Sequence, residues 1–194
     1  SIIKGSYMGP QQEVEQAKSK LQLALTHYQD ELKKLRTGRA SASMLDSVMV
    51  VAYGTPTPLN QVSNITAPEA QLLQITPFDP SNLQAISAAI RDNQTLGLNP
   101  SDDGRVVRIP IPALTEDRRK EISKQVGAKM EDYMITSRNI RHDAIDAIDK
   151  AKKDKEIGED DAKRLTQAIE EAVNNAKTTA ESYAKAKEQE IMTV

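Results

Sequence analysis

Apolar residues recur at alternating steps of three and four from Val14 through Ala17, Leu21, Ala24, Tyr28 and Leu32 to Leu35. That spacing draws one stripe along a helix and predicts a first helix from about Gln11 to Leu35, packed on other helices along a heptad seam. Gly38 follows as a natural stop. A longer pattern opens at Thr115, an N-cap residue ahead of Glu116, Asp117 and Arg118. Its seam is Ile122, Val126, Met130, Tyr133, Ser137, Ile140, Ala144, Ile148 and Ala151, which predicts a helix to about Lys155. At about 1.5 Å per residue that helix is roughly 60 Å long, so the molecule is expected to be elongated. Gly158 breaks it, and Glu159, Asp160 and Asp161 put negative charge at the next helix start, where the dipole favours it. The last helix has an Ala-rich seam of Leu165, Ile169, Ala172, Ala176, Ala180, Tyr183 and Lys187, which permits close approach.

Between the first and second helical patterns the rhythm changes. Ser47–Tyr53 is short and β-branched and reads as a strand. Gly54-Thr-Pro-Thr-Pro58 reads as a turn-rich connection, and Leu59–Ile65 and Gln71–Thr76 as further strands. Asp79-Pro80-Ser81 opens a helix to about Asn93, with Leu83, Ile86, Ala89 and Ile90 on one face. Asn99–Gly104 reads as a turn and Arg105–Ile109 as a closing strand, which Pro110 and Pro112 end.

Charge and proline follow the same division. Gly38–Pro112 holds ten charged residues in 75 positions and eight of the nine prolines. The reading is therefore α+β: a discontinuous three-helix bundle from 1–37 and 113–194, with a small α/β domain inserted at 38–112. Only two connections join the parts, so Thr37, Gly38, Pro110 and Pro112 are candidate hinge residues.

The chemistry is sparse. The chain has no Cys and two His, His27 and His142, which excludes thiol nucleophiles, Cys-ligated zinc and multi-His metal sites. No phosphate loop, dinucleotide fingerprint or serine elbow occurs, and no cofactor is expected. Asp102-Asp103-Gly104 reads as a turn and Glu159-Asp160-Asp161 as a helix start rather than as metal sites. No apolar run approaches a membrane span, and Ser1–Pro10 lacks a secretory leader's pattern. A net charge of −2 means that any basic surface is local.

The arginines form that local surface. Arg36 and Arg39 bracket the end of the first helix, and Arg118 and Arg119 open the long one. Arg138 and Arg141 lie one turn apart on one flank of the seam, beside Met134 and Ile145. Guanidinium groups so placed suit bidentate phosphate binding. Ordinary salt bridges, or stems covering the seam edge, explain them equally well, and for Arg141 the alternative is a bridge to a carboxylate on the last helix. A coiled-coil adaptor or chaperone-like scaffold accounts for the heptads but not for the arginine flank or the insert.

Five segments carry a family resemblance: Arg36-Thr-Gly-Arg-Ala40, Tyr53-Gly-Thr-Pro-Thr-Pro-Leu59, Leu96-Gly-Leu-Asn-Pro100, Leu114-Thr-Glu-Asp-Arg-Arg-Lys-Glu121 and Arg138-Asn-Ile-Arg-His-Asp143. In order and at matching spacing, they closely resemble the ribosome recycling factor family over nearly the whole chain. Asp154–Asp161 resembles that family's turn into its last helix. The resemblance implies an L-shaped, two-domain monomer without catalytic activity. It implies binding to the large ribosomal subunit after peptide release, and subunit splitting together with elongation factor G and its GTP hydrolysis. It implies ribosomal RNA contacts for Arg36, Arg39, Arg138 and Arg141, with Arg118 and Arg119 matching a further basic motif. No membrane is involved; the location is the cytoplasm for a bacterial source, and the matrix or stroma for an organellar one. The chain departs from the family pattern at His142, where many members have a further Arg, at a loop of one extra residue around Arg91–Thr95, and in a longer N-terminus. Near Glu171–Asn174 the last helix replaces the usual Lys-Leu-Thr-Asp with an Ala- and Asn-rich stretch.

Overall fold

The computed structural model describes residues 9–192. Most of the stretch read for a leader, 1–8 of Ser1–Pro10, lies outside them. The described chain forms two compact units. One takes the described part of Ser1–Leu35 with Lys120–Gln189, and the other takes Arg36–Arg119 with the described part of Glu190–Val194.

Three helices make the first unit: α1 (Pro10–Lys33), and most of α4 (Glu116–Lys153) and α5 (Glu159–Met192). They share one core, in which Val14 and Ala17 of α1 meet Ala144 and Ile148 of α4 and Ala162, Leu165 and Ile169 of α5. The α4 stripe is Ile122, Val126, Tyr133, Ser137, Ala144, Ile148 and Ala151, with Met130 and Ile140 half-buried at its edge. On α1 the buried residue is Leu25 rather than Ala24. A helix of about 3.6 residues per turn drifts against a strict seven-residue repeat, and the larger side chain takes the core position. Tyr28 and Tyr133 stack across α1 and α4 with ring centroids 5.5 Å apart. Burial raises both phenols, Tyr28 to about 12, so both stay neutral across the physiological range.

Polar contacts then tie the bundle at its rim. Ser123 Oγ donates to Glu188 Oε2 at 2.8 Å, joining α4 to α5. Lys129 Nζ lies 2.9 Å from Glu31 Oε2, joining α4 to α1. Lys34 Nζ donates to the other oxygen of the same carboxylate at 2.8 Å.

The break between α4 and α5 does not rest on Gly158. Lys155 takes the left-handed conformation, at φ 59°. Its N–H donates to Lys152 O at 3.1 Å, and the Glu156 N–H donates to Ala151 O at 2.9 Å. This is the two-bond helix stop that glycine ordinarily serves. Gly158 instead starts α5, accepting the Ala162 N–H at 3.0 Å.

In the second unit, β1 (Met49–Ala52) and β2 (Thr55–Pro58) form a hairpin. The segment expected as a plain connection is thus its second strand. Tyr53 and Gly54 turn it with φ 52° and 78°, the paired positive angles of a tight hairpin turn. Pro56 and Pro58 sit two apart, so both fall where an edge strand has no N–H to offer its partner. Leu59–Val62 is one helical turn, α2, and not strand. Ser63 Oγ closes it on Leu59 O at 2.7 Å, and β3 (Ser63–Glu69) starts there. β3, β4 (Leu72–Pro77), β6 (Val107–Pro110) and β5 (Ser101–Asp102) make an antiparallel sheet in the order β3-β4-β6-β5. The short β5 lies within the segment expected as turn alone. Leu73 opposes Ile109 and Ile75 opposes Val107, all fully buried. Between β4 and β5, a 3-10 turn at Pro80–Asn82 leads into α3 (Leu83–Arg91). That helix buries Ile86 and Ile90 in the same core. Ser87 is buried with them and accepts a hydrogen bond from Arg91 at 3.0 Å.

Three outcomes follow. Replacing Lys155→Gly removes a left-handed side chain and raises stability by about 0.5–1 kcal/mol in chemical denaturation. Gly38 has φ 79°, and a Cβ there would lie 3.0 Å from Leu114 Cγ and 3.3 Å from its backbone nitrogen. Gly38→Ala therefore lowers stability by about 1–2 kcal/mol in the same measurement. The Lys34 and Lys129 ammonium groups hold the Glu31 carboxyl down at about 2. A depressed carboxylate contributes stability above its unfolded value, and that stability is lost as pH falls through the folded one. Glu31→Gln thus flattens the acid-unfolding profile between about pH 4.5 and about pH 2 and leaves its shape above pH 6 unchanged.

Candidate nucleic-acid interface

Two of the candidate arginines, Arg138 and Arg141, lie in the first unit and are placed by the α4 stripe itself. At about 100° per residue, Arg141 falls on the shoulder of the buried row and Arg138 farther round on the same side. Met134 and Ile145 are half-buried and Arg138 and Arg141 exposed, so an apolar margin carries two charged heads. Arg138 Nη2 lies 3.5 Å from Glu131 Oε1, with both side chains more than half exposed. Such a pair is loose and solvent-screened.

Arg141 is engaged more tightly. Its Nε donates to Glu170 Oε1 at 2.8 Å, and its Nη2 lies 2.6 Å from the same oxygen. The carboxylate comes from α5, so the shoulder position is what brings Arg141 within reach of the neighbouring helix. Glu170 raises the Arg141 pKa, first through the hydrogen bond and then through its charge. The Arg141 side chain remains 47% exposed and that of Glu170 37%, so water and solutes reach the pair. The Arg141 bridge to the last helix and the exposure of Arg141 therefore coexist.

Arg36, Arg39, Arg118 and Arg119 belong to the second unit. Arg36 and Arg39 are exposed in the segment after α1, on either side of buried Thr37 and Gly38. Arg118 is exposed and Arg119 half-buried in the first turn of α4. Thr115 caps that turn, its hydroxyl accepting the Arg118 N–H at 3.1 Å. Of the remaining hinge candidates, Pro110 is the last paired residue of β6, opposite Leu72, and Pro112 is exposed beyond it. Between them the Ile111 N–H donates to Gln71 O at 2.8 Å, and the Ala40 N–H donates to Ala70 O at 2.7 Å. The β3–β4 turn thus fastens both stretches of chain.

The other polar motifs make local contacts. Asp103 accepts the Val106 and Arg105 N–H groups and an Arg108 N–H, which hold its carboxyl well below the usual carboxylate range. Asp102 accepts the Gly104 N–H at 3.1 Å, completing a turn. Asp161 pairs with Arg164 in the first turn of α5. His142 Nε2 stands 3.1 Å from Asp146 Oδ2 one turn on, a partner that spacing alone did not reveal, and both side chains are exposed. Among the described residues, no group of three His, Asp or Glu side chains is placed to hold a metal, and no helix is long and apolar enough to cross a membrane.

The ribosome recycling factor family model matches residues 28–192. The ribosome-recycling factor of Lactococcus lactis subsp. cremoris is 44% identical over 178 residues, covering 92% of this chain and 96% of that one. The factor of Bacillus cytotoxicus is 45% identical over 184 residues, covering 95% and 99%. A solution structure of a ribosome recycling factor superposes with a TM-score of 0.73 at 31% identity, over 95% of this chain and 98% of that one. A second structure describes the T. thermophilus factor, with E. coli elongation factor G, bound to the E. coli post-termination complex. It superposes with a TM-score of 0.63 at 37% identity, over 95% and 99%. Matched over most of its length in sequence and in fold, the chain belongs to the ribosome recycling factor family.

Proposed function

We propose that this chain binds the post-termination ribosome and, with elongation factor G and GTP, splits the subunits so that they are used again. The observation that carries this reading is the match over nearly the full length of relatives of the same size, at 44% identity for the L. lactis factor. The chain itself is not an enzyme; GTP hydrolysis belongs to the elongation factor. It works as a monomer, in the cytoplasm of a bacterium or in the corresponding compartment of an organelle.

The large-subunit RNA is its docking surface, and the arginines are the contacts. Folded RNA offers phosphates and shape, which a planar cation reads through charge and stacking. Arg138 and Arg141 meet it from the α4 flank, and Arg36 and Arg39 from the segment after α1. Arg118 and Arg119 add a further basic pair. The segment at Thr37 and Gly38, with the return stretch from Pro110 to Pro112, is the hinge. Its moving part is short, because Ala40 and Ile111 are pinned by backbone hydrogen bonds.

With purified post-termination complexes, light scattering reports subunit splitting only when this chain, elongation factor G and GTP are all present. No splitting with all three refutes the reading. In pelleting assays Arg138→Ala weakens ribosome binding by about 1–3 kcal/mol and lowers the salt slope by about one unit.

A further inference from the structure

Glu170 is an anion seated where the proposed RNA contact needs a cation. A guanidinium presents two forked N–H edges, each able to hold an oxyanion. Glu170 Oε1 occupies the Nε–Nη2 edge, accepting from Nε at 2.8 Å and lying 2.6 Å from Nη2. A phosphate reaching Arg141 has two ways to bind. It displaces the carboxylate from that edge, or it takes the other edge and sits beside a negative charge. Glu170 opposes the phosphate in both cases. The displacement is feasible, because both side chains are part-exposed and an exposed ion pair is worth little.

We propose that Glu170 competes internally with rRNA phosphate for Arg141 and so limits the affinity of the factor for the ribosome. This rests on the reading of Arg141 as an RNA contact. A factor that must leave after each round gains from a contact whose cation has a partner waiting on its own surface. Dissociation then returns Arg141 to Glu170 rather than to water alone.

The test is ribosome affinity by pelleting with purified bacterial 70S ribosomes. Glu170→Gln keeps an oxygen acceptor on the same stem, so Arg141 stays oriented while the competing charge is gone. It is expected to tighten binding roughly two- to fivefold at low salt, the range of one exposed ion pair. The gain fades as salt screens the pair. Glu171→Gln changes net charge equally at an exposed neighbouring position of α5 and is expected to leave affinity within about 1.5-fold. In an Arg141→Ala background the Glu170→Gln gain disappears. Weaker or unchanged binding of Glu170→Gln overturns the proposal, as does equal tightening by Glu171→Gln. If Arg141→Ala alone leaves affinity intact, the RNA contact itself falls, and the competition with it. If Arg141→Ala weakens binding while Glu170→Gln does not tighten it, the contact stands and only the competition is refuted.

Discussion

A helix of 38 residues has room for one buried stripe, and what lies beyond that stripe and its half-buried margin faces water. In α4 the stripe runs from Ile122 through Tyr133 and Ile148 to Ala151. It meets α1 and α5 in a common core whose α5 side is built from Ala162, Leu165 and Ile169. Non-directional burial of these side chains is the main term holding the bundle together. It also sets the azimuth of every other α4 residue, so Arg138 and Arg141 are exposed because Ser137, Ala144 and Ile148 are not. A surface made this way is as rigid as the core behind it.

The small unit solves a different problem. Its strands are short, its core is one cluster around Leu73, Ile75, Ile86 and Ile109, and it depends on local backbone chemistry to stay in register. Tyr53 and Gly54 turn the hairpin, Asp103 holds a loop by two backbone N–H groups, and Gly38 passes against Leu114 where no side chain fits. Of these, Tyr53 is the residue that accepts a conformational cost, a positive φ with a side chain, to close a tight path.

The long helices were legible because a repeat that persists over many turns outweighs any single residue. Boundaries came within about two residues on α1 and α4, as did the Thr115 cap. What the pattern missed was local. The prolines of Thr55–Pro58 hid an edge strand, since proline is compatible with pairing only on its N–H-free side. Leu59–Val62 looked like strand because one turn of helix is too short to show a period. Lys155 in the left-handed region carries no sequence signal at all, while Gly158 nearby carries a misleading one. The candidate arginines were named from their motifs, but the motifs did not name their partners. Glu170 is separated from Arg141 by 29 positions, and only the packing of α5 against α4 brings the two together.

The central claim is that the α4 flank carrying Arg138 faces large-subunit RNA on the ribosome. The chain contains no cysteine, so Arg138→Cys offers a single attachment point for a hydroxyl-radical probe. Bound to post-termination ribosomes, the tethered probe is expected to cleave large-subunit rRNA at a small set of clustered positions, and excess unlabelled protein is expected to suppress the cuts. Ribosome-bound protein that yields no cleavage, or cleavage confined to the small-subunit RNA, contradicts the account.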